Sequence, residues 1–324
     1  MVLGTWMLLQ PGGPAQAPVE RRAPGQREAP QGLGEEQTPT IRVQTRLVNV
    51  AVNVVDEKGA PVGGLEREDF EITEDGKGQK IAIFERESST PLSIVLAIDA
   101  SESVLRNERL EKDAAKHFIR ALLREQDELD LMDFADTVRE IVPFTNQKKR
   151  IEAGLNELQR GDETALYDAI YLGSERLSQT RNDAGRRRVM VLITDGGDTK
   201  KGSRYGQALE QAQRAGAMVY SIIIVPIAAD AGRNTGGEHA LIQMAEDTGG
   251  KYYYVEDPRD LEPAFEHVSD DLRTQYVLGY YPPQPVGGRR QEDAFRRIKV
   301  RMRDAGLAGK YQLRYRNGYY ADAR

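Results

Sequence analysis

Between residues 92 and 255 short apolar runs rich in Val, Ile and Leu recur, and amphipathic stretches separate most of them. The pattern predicts strands over 92–98, 128–134, 140–144, 188–193, 218–225 and 252–255. It predicts helices over 106–123, 148–158, 166–178, 204–215, 238–248 and 260–275. In the first of these, Leu110, Ala114, Ala115, Phe118, Ile119 and Leu122 fall on one face at helical spacing. Strands apolar on both faces, alternating with helices, imply an α/β fold: a doubly wound, mostly parallel six-stranded sheet covered by helices on both sides. On such a sheet a site is expected outside the carboxyl ends of the strands, where strand order reverses.

The flanks follow a different rhythm. Val43, Leu47, Val48, Val50, Val52, Val54 and Val55 largely alternate with polar residues, and Asp56-Glu-Lys-Gly59 and Glu74-Asp-Gly76 read as turns. Residues 276–324 are β-like again, with Pro/Gly turns. Each flank alone is small for an independent core. Residues 41–90 and 276–324 are therefore expected to pair into one small all-β domain, with the α/β domain, 91–275, inserted between them. Residues 18–40, rich in Pro, Gly, Gln and Glu, are expected to form a disordered linker. The apolar start Val2-Leu-Gly-Thr-Trp-Met-Leu-Leu9 and the small-x-small Ala15-Gln-Ala17 are expected to be a truncated signal peptide over 1–17. That places the mature chain outside the cytoplasm, secreted or in the periplasm or cell envelope. No other run is long enough to span a bilayer.

Composition narrows the chemistry. A formal net charge of -6 argues against nucleic acid as partner, and the absence of cysteine excludes disulfides, thiolate zinc and a catalytic thiol. No phosphate-binding glycine loop or nucleophile elbow follows any predicted strand, and His117, His239 and His267 fall in separate predicted helices. The expectation is a non-enzymatic protein.

The distinctive chemistry sits at three strand ends. Ser93-Ile-Val-Leu-Ala-Ile-Asp99-Ala-Ser101-Glu-Ser103 closes a buried run with a carboxylate and two hydroxyls at alternate positions. Gly161-Asp-Glu-Thr164 precedes a helix, and Val189-Met-Val-Leu-Ile-Thr194-Asp195-Gly-Gly-Asp198 ends a second apolar strand. Two carboxylates and three hydroxyls suit Mg²⁺ or Mn²⁺ (or Ca²⁺) and suit zinc or copper poorly. Asp99, Ser101 and Ser103 as Asp-x-Ser-x-Ser, then Thr164, then Asp195, resemble the metal-ion-dependent adhesion site of von Willebrand factor type A domains, in the same order. The resemblance implies that Ser101 and Ser103 ligate directly and Thr164 directly or through water, while Asp99 and Asp195 hold the ion's waters and balance its charge. It also implies an open coordination position for an acidic residue of a partner protein. Asp69-Phe-Glu-Ile-Thr-Glu-Asp-Gly76 and Arg316-Asn-Gly-Tyr-Tyr-Ala321 resemble the flanks of a group of type A-related proteins best represented in Acidobacteria. Together the likeness covers nearly everything after residue 40. Departures from the family's pattern are Val104 and an acidic surround of Glu102, Asp162, Glu163 and Asp198, which could raise metal affinity, favour Ca²⁺ or repel an acidic partner.

Two other functions fit the same residues: a hydrolase in which the ion activates water, and an envelope component in which it only stabilises the fold. The hydrolase lacks an evident base, since Glu102, Asp162 and Asp198 qualify only by position. Arg160-Gly-Asp162 reads as a loop presenting Thr164. The basic runs at 186–188 and 289–303 read as solvated faces. Ten tyrosines between Tyr252 and Tyr320 suit strands and a sandwich core.

Overall fold

The structure, a computed structural model, describes residues 47–86, 90–101, 108–180, 186–225, 234–282 and 294–321. The expected signal peptide and linker, Glu102 and Ser103 lie outside the described residues. In chain order the elements are β1 (Val48–Val55), β2 (Phe70–Glu74), β3 (Lys77–Gln79), β4 (Ile81–Glu85), β5 (Leu92–Asp99), α1 (Glu108–Leu122), β6 (Glu128–Phe134) and β7 (Val138–Thr145). Next come α2 (Lys148–Gly154), α3 (Leu166–Gln179), β8 (Arg187–Thr194), α4 (Tyr205–Ala215), β9 (Ala217–Ile224), α5 (Thr235–Thr248), β10 (Tyr252–Val255) and α6 (Leu261–Arg273). The chain closes with β11 (Tyr276–Tyr280), β12 (Phe295–Met302), α7 (Ala305–Ala308), β13 (Gln312–Arg314) and β14 (Gly318–Tyr320).

The expected six-stranded sheet is present in the order β10-β9-β8-β5-β6-β7. All its pairings are parallel except β6–β7, which a tight hairpin makes antiparallel. Every residue of β5 is buried, as a central strand covered on both faces requires. Ile94, Leu96 and Ile98 face one apolar layer with α1 and α6, where Phe118 and Phe265 stack at 4.6 Å. Val95 and Ala97 face the other layer, with Leu166, Ala169 and Ile170 of α3. Each such buried aliphatic side chain contributes about 1.5–3 kcal/mol. Strand order reverses between β5 and β8: the chain runs outward from β5 through β6 and β7 on one side, then outward through β8, β9 and β10 on the other.

The flanks form two four-stranded sheets, β13-β1-β11-β4 and β14-β12-β2-β3, each combining strands from both ends of the chain. Their shared core includes Val50, Val52, Phe70, Ile72, Tyr276, Leu278, Tyr280 and Val300. Within it Glu74 is buried, and its Oε2 accepts from the Tyr280 hydroxyl at 2.7 Å and the Tyr319 hydroxyl at 2.9 Å.

A polar seam joins this sandwich to the amino ends of the parallel strands. Asn53 Nδ2 donates to the Tyr220 hydroxyl at 3.3 Å, and Arg314 donates to Asp271 at 3.0 Å. Asn317 N donates to the Asp247 carbonyl at 3.2 Å, beside Gly249 at φ +80°, where a Cβ would stand 2.5 Å from Arg316 N. The sandwich thus occupies the end of the parallel sheet opposite its carboxyl edge. Among the described residues no helix is long and apolar enough to cross a membrane.

Candidate metal centre

Asp99 is the last residue of β5 and is fully buried. Its Oδ1 accepts from Ser101 N at 2.9 Å, and its Oδ2 accepts from the Thr194 hydroxyl at 2.7 Å. The Thr194 oxygen in turn accepts from Gly196 N at 3.1 Å. Burial pushes the Asp99 carboxyl up to about 6; the hydrogen bonds from Ser101 and Thr194 oppose that rise, and the charge of Asp195 adds to it. Asp99 and Asp195 are therefore close enough to feel each other. The structural cause is the in-register pairing of β5 with β8, which aligns Ile98 with Ile193 and brings the two strand ends out together.

Asp195 is half-buried, and its Oδ1 accepts from Gly197 N at 2.9 Å. The chain turns away at once through Gly196, at φ +83°, where a Cβ would lie 3.2 Å from the backbone of Gly237 and Glu238. A side chain there would be strained both by its φ and by that contact.

Thr164 reaches the same edge from the third segment. Gly161 N donates to the Ala100 carbonyl at 3.3 Å, which forms a parallel bridge between Ser101 and Gly161. The approach requires glycine, since a Cβ at Gly161 would sit 2.7 Å from the Cβ of Ala135. The Arg-Gly-Asp tripeptide is thus explained by packing at its middle residue. Thr164 N donates to the Thr199 hydroxyl at 2.8 Å, and its carbonyl accepts from Thr199 N at 3.0 Å and Lys200 N at 3.2 Å. Asp136 Oδ1 accepts from Asp162 N at 3.0 Å and Glu163 N at 2.7 Å, holding the loop from the other side. Ser101 and Thr164 are both buried, and Thr164 leads directly into α3.

The structure thus brings Asp99, Ser101 and Asp195 to one sheet edge, linked by hydrogen bonds and charge, and the loop of Thr164 joins that edge through the bridge between Ser101 and Gly161. Three residues that sequence reasoning did not single out hold them there: Thr194, Thr199 and Asp136. Thr194 ends β8 beside Asp195, but its bond to Asp99 depends on the pairing of β5 with β8, which no single segment shows. Asp136 carried no signal, because its contact depends on how the hairpin folds.

The acidic surround is partly neutralised. Asp198 Oδ1 accepts from Tyr167 N at 3.3 Å, so it caps α3, whose own N-cap, Ala165, offers no side-chain acceptor. Glu163 forms an ion pair with Lys200. The histidines stay out of the site: His117 bonds Glu262, His239 bonds the Thr235 carbonyl, and His267 stacks on Tyr253.

The donor set fits a hard cation. Hydroxyl and carboxylate oxygens supply it, with no sulfur or imidazole among them. A buried Asp99 with a raised pKa beside a second carboxylate is a group whose ionised form a divalent cation would stabilise.

The oxygen donors stand at the topological switch point of a doubly wound sheet, where ligands of such folds bind. Residues 93–267, more than half of the chain, match the von Willebrand factor type A domain, and the chain belongs to that family. Domains of this family typically mediate protein–protein interaction. Among curated proteins nothing matches. Similar solved structures include BatB from Bacteroides thetaiotaomicron, 20% identical over 56% of this chain and 97% of that one, with a TM-score of 0.45. A von Willebrand factor type A protein from Catenulispora acidiphila is 12% identical over 86% of this chain and 75% of that one, with a TM-score of 0.49. The vWF domain of the pilus tip protein Mfa5 from Porphyromonas gingivalis is 12% identical over 57% of this chain and 96% of that one, with a TM-score of 0.46.

Proposed function

We propose that the chain is an extracytoplasmic, non-enzymatic binding protein whose sheet edge takes one divalent cation, Mg²⁺ or Mn²⁺, and through it a carboxylate of a partner protein. The observation that carries this reading is Asp99: a carboxyl fully buried at a strand end, bonded by Ser101 and Thr194 and raised in pKa beside Asp195. Ser101, Ser103 and Thr164 would supply neutral oxygens, and Asp99 with Asp195 would balance the charge of the ion. When bound, the cation supplies a Lewis-acidic position that an anionic oxygen can fill. The chain's own residues do the rest. Thr194 fixes the Asp99 carboxylate, the Gly161 contact fixes the approach of Thr164, and the left-handed Gly196 clears the mouth. A contact between the ion and an anionic side chain in a partly desolvated mouth is stronger than the same contact in water.

Hydrolysis is the weaker use of this edge, because Asp198, one of the candidate bases, is engaged in capping α3. The test is Mg²⁺-dependent capture of a partner from envelope extract by the full chain and by an Asp99→Ala variant. Metal-dependent capture lost in the variant supports the reading; turnover of a small ester or phosphate that Asp99→Ala abolishes would replace it.

A further inference from the structure

The outer face of the second sandwich sheet has an unusual charge pattern. Along β12, Ile298, Val300 and Met302 point into the core, while Arg297, Lys299 and Arg301 are exposed on the opposite face. Arg303, the next residue of the same alternation, is exposed as well. On the neighbouring strand Thr73 faces Lys299 and Glu71 faces Arg301, with 3.4 Å between the charged groups of the latter pair. Four cations thus follow one another over about 20 Å, with the carboxylates of Glu71 and Asp75 beside them, in a chain whose net charge is -6. A solvated face in an acidic protein would ordinarily carry at least as much acid as base.

We propose that this face docks the protein on an anionic phospholipid surface. Charge complementarity selects an anionic partner. A pleated face is broad, which suits a plane of anionic headgroups. Nucleic acid fits less well, since most of the surface would repel phosphate. The fold adds a geometric consequence. The sandwich joins the amino ends of the parallel strands, so the metal edge stands about 25 Å from the seam along β5, at the other end of the domain. Docking by the sandwich leaves that edge accessible to a second partner. The inference does not depend on the metal reading.

The test is cosedimentation of the full chain with phosphatidylcholine vesicles with and without phosphatidylglycerol, at low and high salt. Each cation near an anionic surface strengthens partitioning about fivefold, so Arg297→Gln/Lys299→Gln/Arg303→Gln should weaken it about 100-fold. A control variant, Lys58→Gln/Lys149→Gln/Arg150→Gln, removes exposed cations elsewhere and should bind like the parent. Binding that requires phosphatidylglycerol, falls with salt and fails only in the face variant is the expected result. Circular dichroism checks that the variants fold; if the triple variant does not, Lys299→Gln alone should lose about fivefold. Equal binding to neutral vesicles, no binding, or a face variant that binds normally would overturn the proposal. So would retention on heparin without vesicle binding, which would assign the face to a soluble polyanion.

Discussion

Asp99→Asn removes a charge while keeping the shape of the side chain, and its consequences separate the energetic cost of the site from its use. The Asp99 carboxyl is raised from 3.8 to about 6, chiefly by burial. Between these values the native state binds a proton that the unfolded state has already lost. The group's contribution is therefore most favourable below about pH 4, declines as pH rises through about 6, and stays unfavourable above it. The full difference amounts to about 3 kcal/mol at pH 8. An amide is neutral at every pH and avoids this cost. It does lose one good partner: with its oxygen toward Ser101 N, its NH₂ meets the Thr194 hydroxyl, which must give up donating; that exchange costs about 1 kcal/mol. The net expectation for the metal-free protein at pH 8 is a gain of about 2 kcal/mol, or a melting temperature higher by about 4–8 °C for a domain of this size. At pH 4 the gain should vanish. Added Mg²⁺ should stabilise the parent and leave the variant unchanged, because ligand linkage acts only where the ion binds. The assay is thermal unfolding followed by circular dichroism at both pH values, in EDTA and in Mg²⁺. A variant less stable than the parent at pH 8 in EDTA, or one that keeps the parent's pH dependence, would refute the reasoning.

Other expectations follow from neighbouring features. Gly161→Ala should destabilise by about 1–3 kcal/mol by forcing a Cβ against Ala135, and should weaken Mg²⁺ binding because the loop carrying Thr164 must shift; calorimetry on the folded variant checks the second effect. Tyr319→Phe removes one of two hydroxyls from the buried Glu74 and should cost about 2 kcal/mol in urea unfolding without altering metal binding. Asp130 is fully buried on β6, and burial with the neighbouring Glu140 pushes its carboxyl pKa well up, against the opposing charge of Arg176. Its contribution should worsen as pH rises above about 4, so Asp130→Asn should raise the melting temperature at pH 9 whether or not Mg²⁺ is present.

Much of this architecture is legible in the chain because the signals are local. A largely apolar run over 92–98 predicts β5, and the alternation of Asp99, Ser101 and Ser103 marks its end. The position of Thr164 before a helix is equally local. What could not be read depends on register and on contacts distant in sequence. The Thr194 bond to Asp99 exists because β5 and β8 pair without a shift, which no single segment reveals. Asp198 reads as a spare carboxylate until α3 is seen to lack a cap of its own. Glu74 looks like part of a turn, yet lies buried under Tyr280 and Tyr319, because strands from the two chain ends close over it. Strand order within the sandwich is hidden for the same reason: β11 lies between β1 and β4, more than 190 residues away in sequence.

Isothermal titration calorimetry of the EDTA-stripped full chain with Mg²⁺, Mn²⁺ and Ca²⁺, repeated on Asp195→Ala, addresses the central claim most directly. Saturable uptake of one ion per chain, abolished in the variant, is the result the account requires. No uptake of any of the three ions by the folded parent, or uptake that survives the loss of Asp195, would contradict it.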